Sequence, residues 1–148
     1  MRFIGFDRED TAEKWAREKL DIKGEPEFFR AMTAVDDKDE FACVVVFTNF
    51  TSKNVDLNVV AEDGFWKCPA AVISTFNGIF SYAFDLIKAS RVTALVVNSN
   101  KKSKEFVERL GFTLEGVMRD AADNNESVCI YGFLAKEYHH HGWYRNNL

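Results

Sequence analysis

The stretch RVTALVVNSNKKSKEFVERLGFTLEGVMR, running from Arg91 to Arg119, decides the fold class of this chain. Val92 to Val97 is a short, mostly apolar run rich in β-branched residues, which predicts a buried strand. Lys101 to Leu110 follows with Phe106, Val107 and Leu110 on one helical face. Gly111 suits the left-handed residue just past a helix end, and Phe112 to Arg119 reads as a second strand. Strand, helix and strand in immediate succession place this half of the chain in an α/β sheet.

The pattern continues upstream. From Pro69 to Ala89 the residues Val72, Phe76, Ile79, Phe80, Ala83 and Ile87 recur at spacings of three and four, predicting a long helix with one buried face. Pro69 fits its first turn, where a missing backbone N–H costs nothing. Before it, Val55, Leu57 and Val59 alternate with Asp56 and Asn58, as in a strand with one face buried. If Val55 to Val60 and Val92 to Val97 share a sheet, the helix between them is a right-handed crossover and the two strands are parallel.

The flanks add hairpins. Phe28 to Val35 and Phe41 to Phe50 are separated by the polar turn Asp36 to Asp39, and Phe112 to Arg119 meets Ser127 to Leu134 across the polar loop Ala121 to Glu126. Asp7 to Leu20 predicts a short amphipathic helix with Trp15, Ala16 and Leu20 on one face, ended by Gly24, Glu25 and Pro26. The predicted order is helix, three strands, helix, strand, helix, two strands. That is a mixed, partly parallel α/β sheet flanked by helices, expected as one domain over residues 1–148 because no linker or repeat interrupts it.

Bulk composition narrows the function classes. Hydrophobic residues make up 47% and charged residues 28% of the chain, ordinary values for a soluble protein, but the 14 phenylalanines are a surplus that predicts an aromatic core or an apolar cleft. A net charge of -4 gives no global field for a polyanion, so nucleic acid is not expected as a partner. Met1 to Asp10 is too polar for a signal peptide and no apolar run is long enough to span a membrane, so a cytoplasmic protein is expected. Cys43, Cys68 and Cys129 are dispersed and predict free thiols. His139, His140 and His141 are adjacent on one segment and predict no metal site, since neighbours in sequence rarely point at one ion.

Two places could carry chemistry. One is the turn Phe65 to Ala71, where the amides at a helix start could hold a phosphate, Lys67 could add charge, and Ala70 and Ala71 would let a ligand approach. The other is Asn98 to Ser103, where Asn100 is a helix cap by type and Ser103 lies one turn further on. Glu115 and Arg119 are four apart on a predicted strand, and alternation would put them on one face as an ion pair or as catalytic groups.

Arg91 to Val97 followed by Asn100-x-x-Ser103, then Glu108-Arg109-Leu110-Gly111-Phe112, then Glu115-Gly116-Val117-Met118-Arg119 resembles the carboxyl half of the GNAT acyltransferases. It looks closest to the branch of the ribosomal-protein N-terminal acetyltransferases and their small phage and bacterial relatives. Residues 1–60 match that superfamily in layout only.

The resemblance implies an enzyme that moves an acetyl group from acetyl-CoA directly to a primary amine of a protein N-terminus, a lysine or a small molecule. It implies that acetyl-CoA lies between the splayed strands Val55 to Ala61 and Val92 to Val97, with Trp66, Lys67, Cys68, Ala70, Ala71, Asn98, Asn100 and Ser103 as binding residues. Ser103 would serve the leaving thiolate, and Glu62 or Asp123 would take the amine proton. Direct transfer leaves Cys68 no role as a nucleophile. A monomer or homodimer is expected. The chain departs from the superfamily in three ways: Trp66-Lys67-Cys68-Pro69-Ala70-Ala71 has no glycine where the pyrophosphate loop usually does, Val107 stands where many members have a tyrosine acid, and no glutamate is clearly marked as the base, which leaves Glu62 and Asp123 as the candidates. These departures leave an alternative, a GNAT-fold binding or structural protein that has lost catalysis.

Overall fold

The computed structural model describes residues 1–24 and 26–138. Its strands are β1 (Arg2–Gly5), β2 (Arg30–Val35), β3 (Phe41–Thr48), β4 (Asn54–Ala61), β5 (Arg91–Val97), β6 (Thr113–Ala122) and β7 (Glu126–Leu134). Its helices are α1 (Glu9–Lys19), α2 (Pro69–Phe80), α3 (Lys101–Leu110) and the short α4 (Ala135–Tyr138). The strands form one sheet in the order β1-β2-β3-β4-β5-β7-β6. Among the described residues only β4 and β5 pair in parallel, joined by the α2 crossover, while the other pairings are antiparallel. The predicted mixed sheet is therefore the observed one.

Alternation along the strands divides the sheet into two faces. Val45, Phe47, Val55, Leu57, Val59, Val92, Ala94 and Val96 join the main core with Phe76, Ile79 and Phe80 of α2 and Phe106, Val107 and Leu110 of α3. On the other face Ala12 and Ala16 of α1 pack on Ala31, Val44 and Val46, with Trp15 and Val60 at the margin. Much of the phenylalanine surplus lies in the core, where Phe47, Phe65, Phe76, Phe80, Phe106 and Phe133 are fully buried.

Several elements differ from the sequence reading. Strand β1 was not predicted: it is four residues long with no alternation to read, and it exists because Arg2 and Phe3 pair with Val35 and Ala34 of β2. Phe3 lies against Gly78 of α2 so closely that a Cβ there would sit 2.7 Å from the tip of its ring, so a side chain at this position would push the Phe3 ring aside. The predicted helix to Ala89 is α only as far as Phe80. From Ser81–Leu86 it widens into a π-helical turn, in which the Ile87 N–H donates to the Tyr82 carbonyl at 3.0 Å. Aromatic packing accompanies the widening: Tyr82 meets Phe6 and Phe47, while Phe84 meets Phe133 and Tyr138. The short α4 was also not predicted.

Glu115 and Arg119 do not form the predicted pair. A bulge separates Leu114↔Tyr131 from Gly116↔Ile130, which breaks the period of two, and Glu115 instead binds Arg91 of β5 at 2.7 Å. No helix among the described residues is long and apolar enough to cross a membrane.

Candidate functional site

The site starts where β4 and β5 part. Their parallel ladder runs from Asn54↔Arg91 to Leu57↔Ala94 and ends there, although β4 continues to Ala61 and β5 to Val97. A narrow passage of about 90 Å³ opens in the gap. Its walls include Leu57, Val59, Ala94 and Val96 from the main-core face and Asn58, Leu95 and Val97 from the other. Because successive strand residues point to opposite faces, a void lined by both sets pierces the sheet.

On the α3 side the passage meets a cleft of about 470 Å³ between the end of β4 and α3. Trp66 and Phe106 form part of its wall, with ring centroids 5.2 Å apart, and the Arg109 guanidinium stacks over Trp66 at 4.3 Å. Its rim carries exposed ion pairs: Lys19 reaches Glu62 at 3.5 Å, and Lys102 reaches Asp63 at 3.4 Å. Such exposed pairs contribute about 0–1 kcal/mol and can be opened by an entering anion at little cost.

Cleft and passage share Leu20, Val59, Asn100 and Ser103. The α3 start positions the two polar ones. Asn100 is its N-cap, and the Asn100 Oδ1 accepts a hydrogen bond from the Ser103 N–H at 3.1 Å. At the other end Gly111 closes α3 at φ 100°, a conformation open to glycine and costly for other residues. The cap thus fixes both residues at the meeting point of the two voids.

The other expected site residues fall as follows. Glu62 and Trp66 line the cleft together with Asn100 and Ser103. Lys67, Cys68, Ala70 and Ala71 do not line it; Cys68 turns away, its thiol 3.9 Å from the Met1 carbonyl. Asn98 is held at the end of β5, where its side-chain oxygen accepts from Lys104 Nζ at 2.7 Å and from the Cys129 thiol at 3.5 Å. Asp123 sits in the turn between β6 and β7, outside both voids.

Sequence reading missed Leu20, Ile22 and Arg109. Leu20 and Ile22 reach the passage because the chain leaving α1 folds back over the sheet, a tertiary event with no local signal. Arg109 had one available sign, its place one turn after Phe106 on α3.

Behind the site Tyr131 is buried and donates to a Glu108 carboxylate oxygen at 3.0 Å. Burial, then this hydrogen bond, pushes its phenol up to about 12, so it stays protonated at neutral pH. Burial likewise pushes the Cys43 thiol up. All three cysteines are free. Among the described residues no group of three or more His, Cys, Asp or Glu could hold a metal ion, and His139, His140 and His141 lie outside the described residues.

No family model matches the chain, and no curated protein resembles it in sequence. Solved structures do match it. A GNAT-family acetyltransferase from Bacillus anthracis matches with a TM-score of 0.59 at 17% identity, over 72% of this chain and 67% of that one. The spermidine/spermine N-acetyltransferase of Vibrio cholerae matches with a TM-score of 0.58 at 16% identity, over 87% of this chain and 76% of that one. A dodecameric structure of the spermidine N-acetyltransferase from the same organism gives a TM-score of 0.60 at 16% identity, over 87% and 75%. At such identities the likeness is one of fold. The chain has the GNAT acyltransferase fold.

Proposed function

We propose that this chain is an N-acetyltransferase that moves the acetyl group of acetyl-CoA directly to a primary amine. The observation that carries the reading is the passage through the sheet, which begins where the β4 and β5 ladder ends and has Ser103 and Asn100 at its junction with the cleft. A long, thin substrate fits such a junction, with its body in the cleft and its reactive end in the gap. The N-terminal acetyltransferase branch is the subgroup we favour, on the Asn100-x-x-Ser103 spacing and the absence of a tyrosine at Val107.

Acetyl-CoA supplies an activated acetyl group as a thioester, and the chain's own residues need only bind, orient and move protons. Trp66 and Arg109 offer a flat, cationic wall for the nucleotide end, and β4 beyond Leu57 offers backbone no longer paired with β5. The Ser103 hydroxyl can donate to a sulfur as negative charge develops on it. Glu62, which lines the cleft, is the base we favour over Asp123 for the proton of the incoming amine. The amine nitrogen forms the new bond to the acetyl carbon, the carbon–sulfur bond breaks, and the thiol leaves with one proton.

A second reading, a GNAT-fold protein without catalysis, is favoured by Lys67, Cys68, Ala70 and Ala71 lying outside the cleft, with Pro69 in place of a glycine-rich loop. Calorimetry and thermal melts with acetyl-CoA separate the two. A ligand selective for the folded state stabilises it by about 2.7 kcal/mol at a hundredfold its Kd, so the enzyme reading expects binding heat and a raised Tm. No heat and an unchanged Tm at saturating acetyl-CoA would leave the scaffold reading.

A further inference from the structure

Acetyl transfer needs an amine beside a base and close to the thioester, and one such amine belongs to the chain itself. Lys19 is the last residue of α1 and lines the cleft together with Glu62, Asn100 and Ser103. Its Nζ lies 3.5 Å from Glu62 Oε1 and 5.4 Å from the centre of the Trp15 ring, one helical turn earlier. The ring supports the side chain and the carboxylate holds its head, so the ammonium group stays at the cleft instead of sweeping through solvent. Leu20, the next residue, lines both the cleft and the passage, which brings the end of α1 to the junction where Asn100 and Ser103 stand.

Neighbouring lysines are placed differently. Lys102 also lines the cleft, but it and its partner Asp63 are 74% and 85% exposed, against 50% and 46% for Lys19 and Glu62, so that pair sits further out in water. Lys67 does not line the cleft, and Lys104 Nζ is bound to Asn98 at 2.7 Å. Lys19 is the lysine that the favoured base already holds.

We infer that Lys19 is a modification site, acetylated by a thioester held in the chain's own cleft. The inference rests on the acetyltransferase reading for acetyl-CoA as the donor. In the step the ammonium gives one proton to Glu62 and the Nζ lone pair forms the bond to the acetyl carbon. The carbon–sulfur bond then breaks, and the thiol leaves with a second proton from the nitrogen, while the third stays on the amide. Tethering spares this amine the entropic cost of a bimolecular encounter. The product is a stable, neutral amide, so the acetyl group stays on Lys19 and Glu62 loses its cation.

The test incubates the full chain with acetyl-CoA and follows each lysine by peptide mass spectrometry. Lys19 should be labelled at least about tenfold faster than Lys67 and Lys102, at a rate independent of protein concentration. Glu62→Gln should slow Lys19 by about 10²-fold and leave Lys67 unaffected. Lys19→Arg, which keeps the cation, should remove the label without moving it to Lys102. Labelling of Lys19 no faster than that of the other two, or a rate that rises with protein concentration because one copy acts on another, overturns the inference. Binding heat and acetylation of added butylamine with no label on Lys19 would also end it, and would leave the acetyltransferase reading standing. If acetyl-CoA gives no heat, that reading falls by itself, and the acetyl thioester of N-acetylcysteamine, a donor without a nucleotide, decides this one: selective labelling of Lys19 supports it, equal labelling ends it.

Discussion

Arg91 of β5 and Glu115 of β6 form an ion pair at 2.7 Å across Gly132 of the intervening strand β7. A Cβ at position 132 would lie 2.5 Å from the Glu115 carboxylate and 2.6 Å from the Arg91 guanidinium, so the pair exists because the strand between them has no side chain there. The contact continues through Arg91 Nε to the Thr93 hydroxyl at 3.0 Å, and from that hydroxyl to Asn54 Oδ1 at 2.6 Å, tying β6, β5 and β4 together below the passage.

Gly132→Ala should therefore cost about 1 kcal/mol, the low end for added atoms, because the groups in its way are the ends of two flexible, partly exposed side chains that can swing aside once their ion pair opens. Glu115→Gln should cost under about 1 kcal/mol, because the pair is partly exposed. Urea unfolding of both variants checks the order. If Glu115→Gln proves the costlier, the ion pair and not the close approach is what the glycine protects.

Asn100→Ala should lose about 1 kcal/mol of stability, since it removes the acceptor for the Ser103 N–H, while Asn100→Asp should keep most of it. Ser103→Ala, which leaves the cap intact, should leave the Tm nearly unchanged and lower kcat by about 10²-fold with little change in KM. Melting curves and steady-state kinetics on the three variants give the answer. Loss of stability without loss of turnover in Ser103→Ala would make that residue structural.

Cys68→Ala should retain most of the activity, and mass spectrometry during turnover should find no acetyl group on Cys68. The thiol faces the Met1 carbonyl and does not line the cleft. A covalent acetyl adduct there would mean that transfer passes through the protein.

Tyr131 sets an alkaline limit. Its phenol is raised from an ordinary 10.0 to about 12, so its contribution to stability is complete below about pH 10 and fades as the pH rises through about 12. Ultraviolet titration should show a tyrosine that ionises late, and the unfolding free energy should fall between those two values. Tyr131→Phe should remove that part of the decline, and an unchanged slope would show that the phenol is not the group responsible.

Periodicity and turn chemistry determined most of the framework from the sequence alone. The helix Lys101–Leu110 and its Gly111 end were legible to the residue, because an amphipathic face and a left-handed glycine are local properties. The parallel crossover was legible too, since chirality leaves one way to connect the strands around α2. Asn100 could be singled out because a helix cap is a local signal, and Ser103 because it lies one turn further on and belongs to the motif that carries the resemblance.

Tertiary structure decided the rest. Whether β4 and β5 stay paired beyond Leu57↔Ala94, and so whether a passage opens, depends on how the sheet twists under α2 and α3. Only the packed chain brings Leu20 and Ile22 to that passage, turns Cys68 away from the cleft and sends Glu115 to Arg91 in place of Arg119. Each of these joins residues far apart in sequence, or turns on a bulge that shifts the strand period by one, and neither kind of event leaves a periodic trace in the chain.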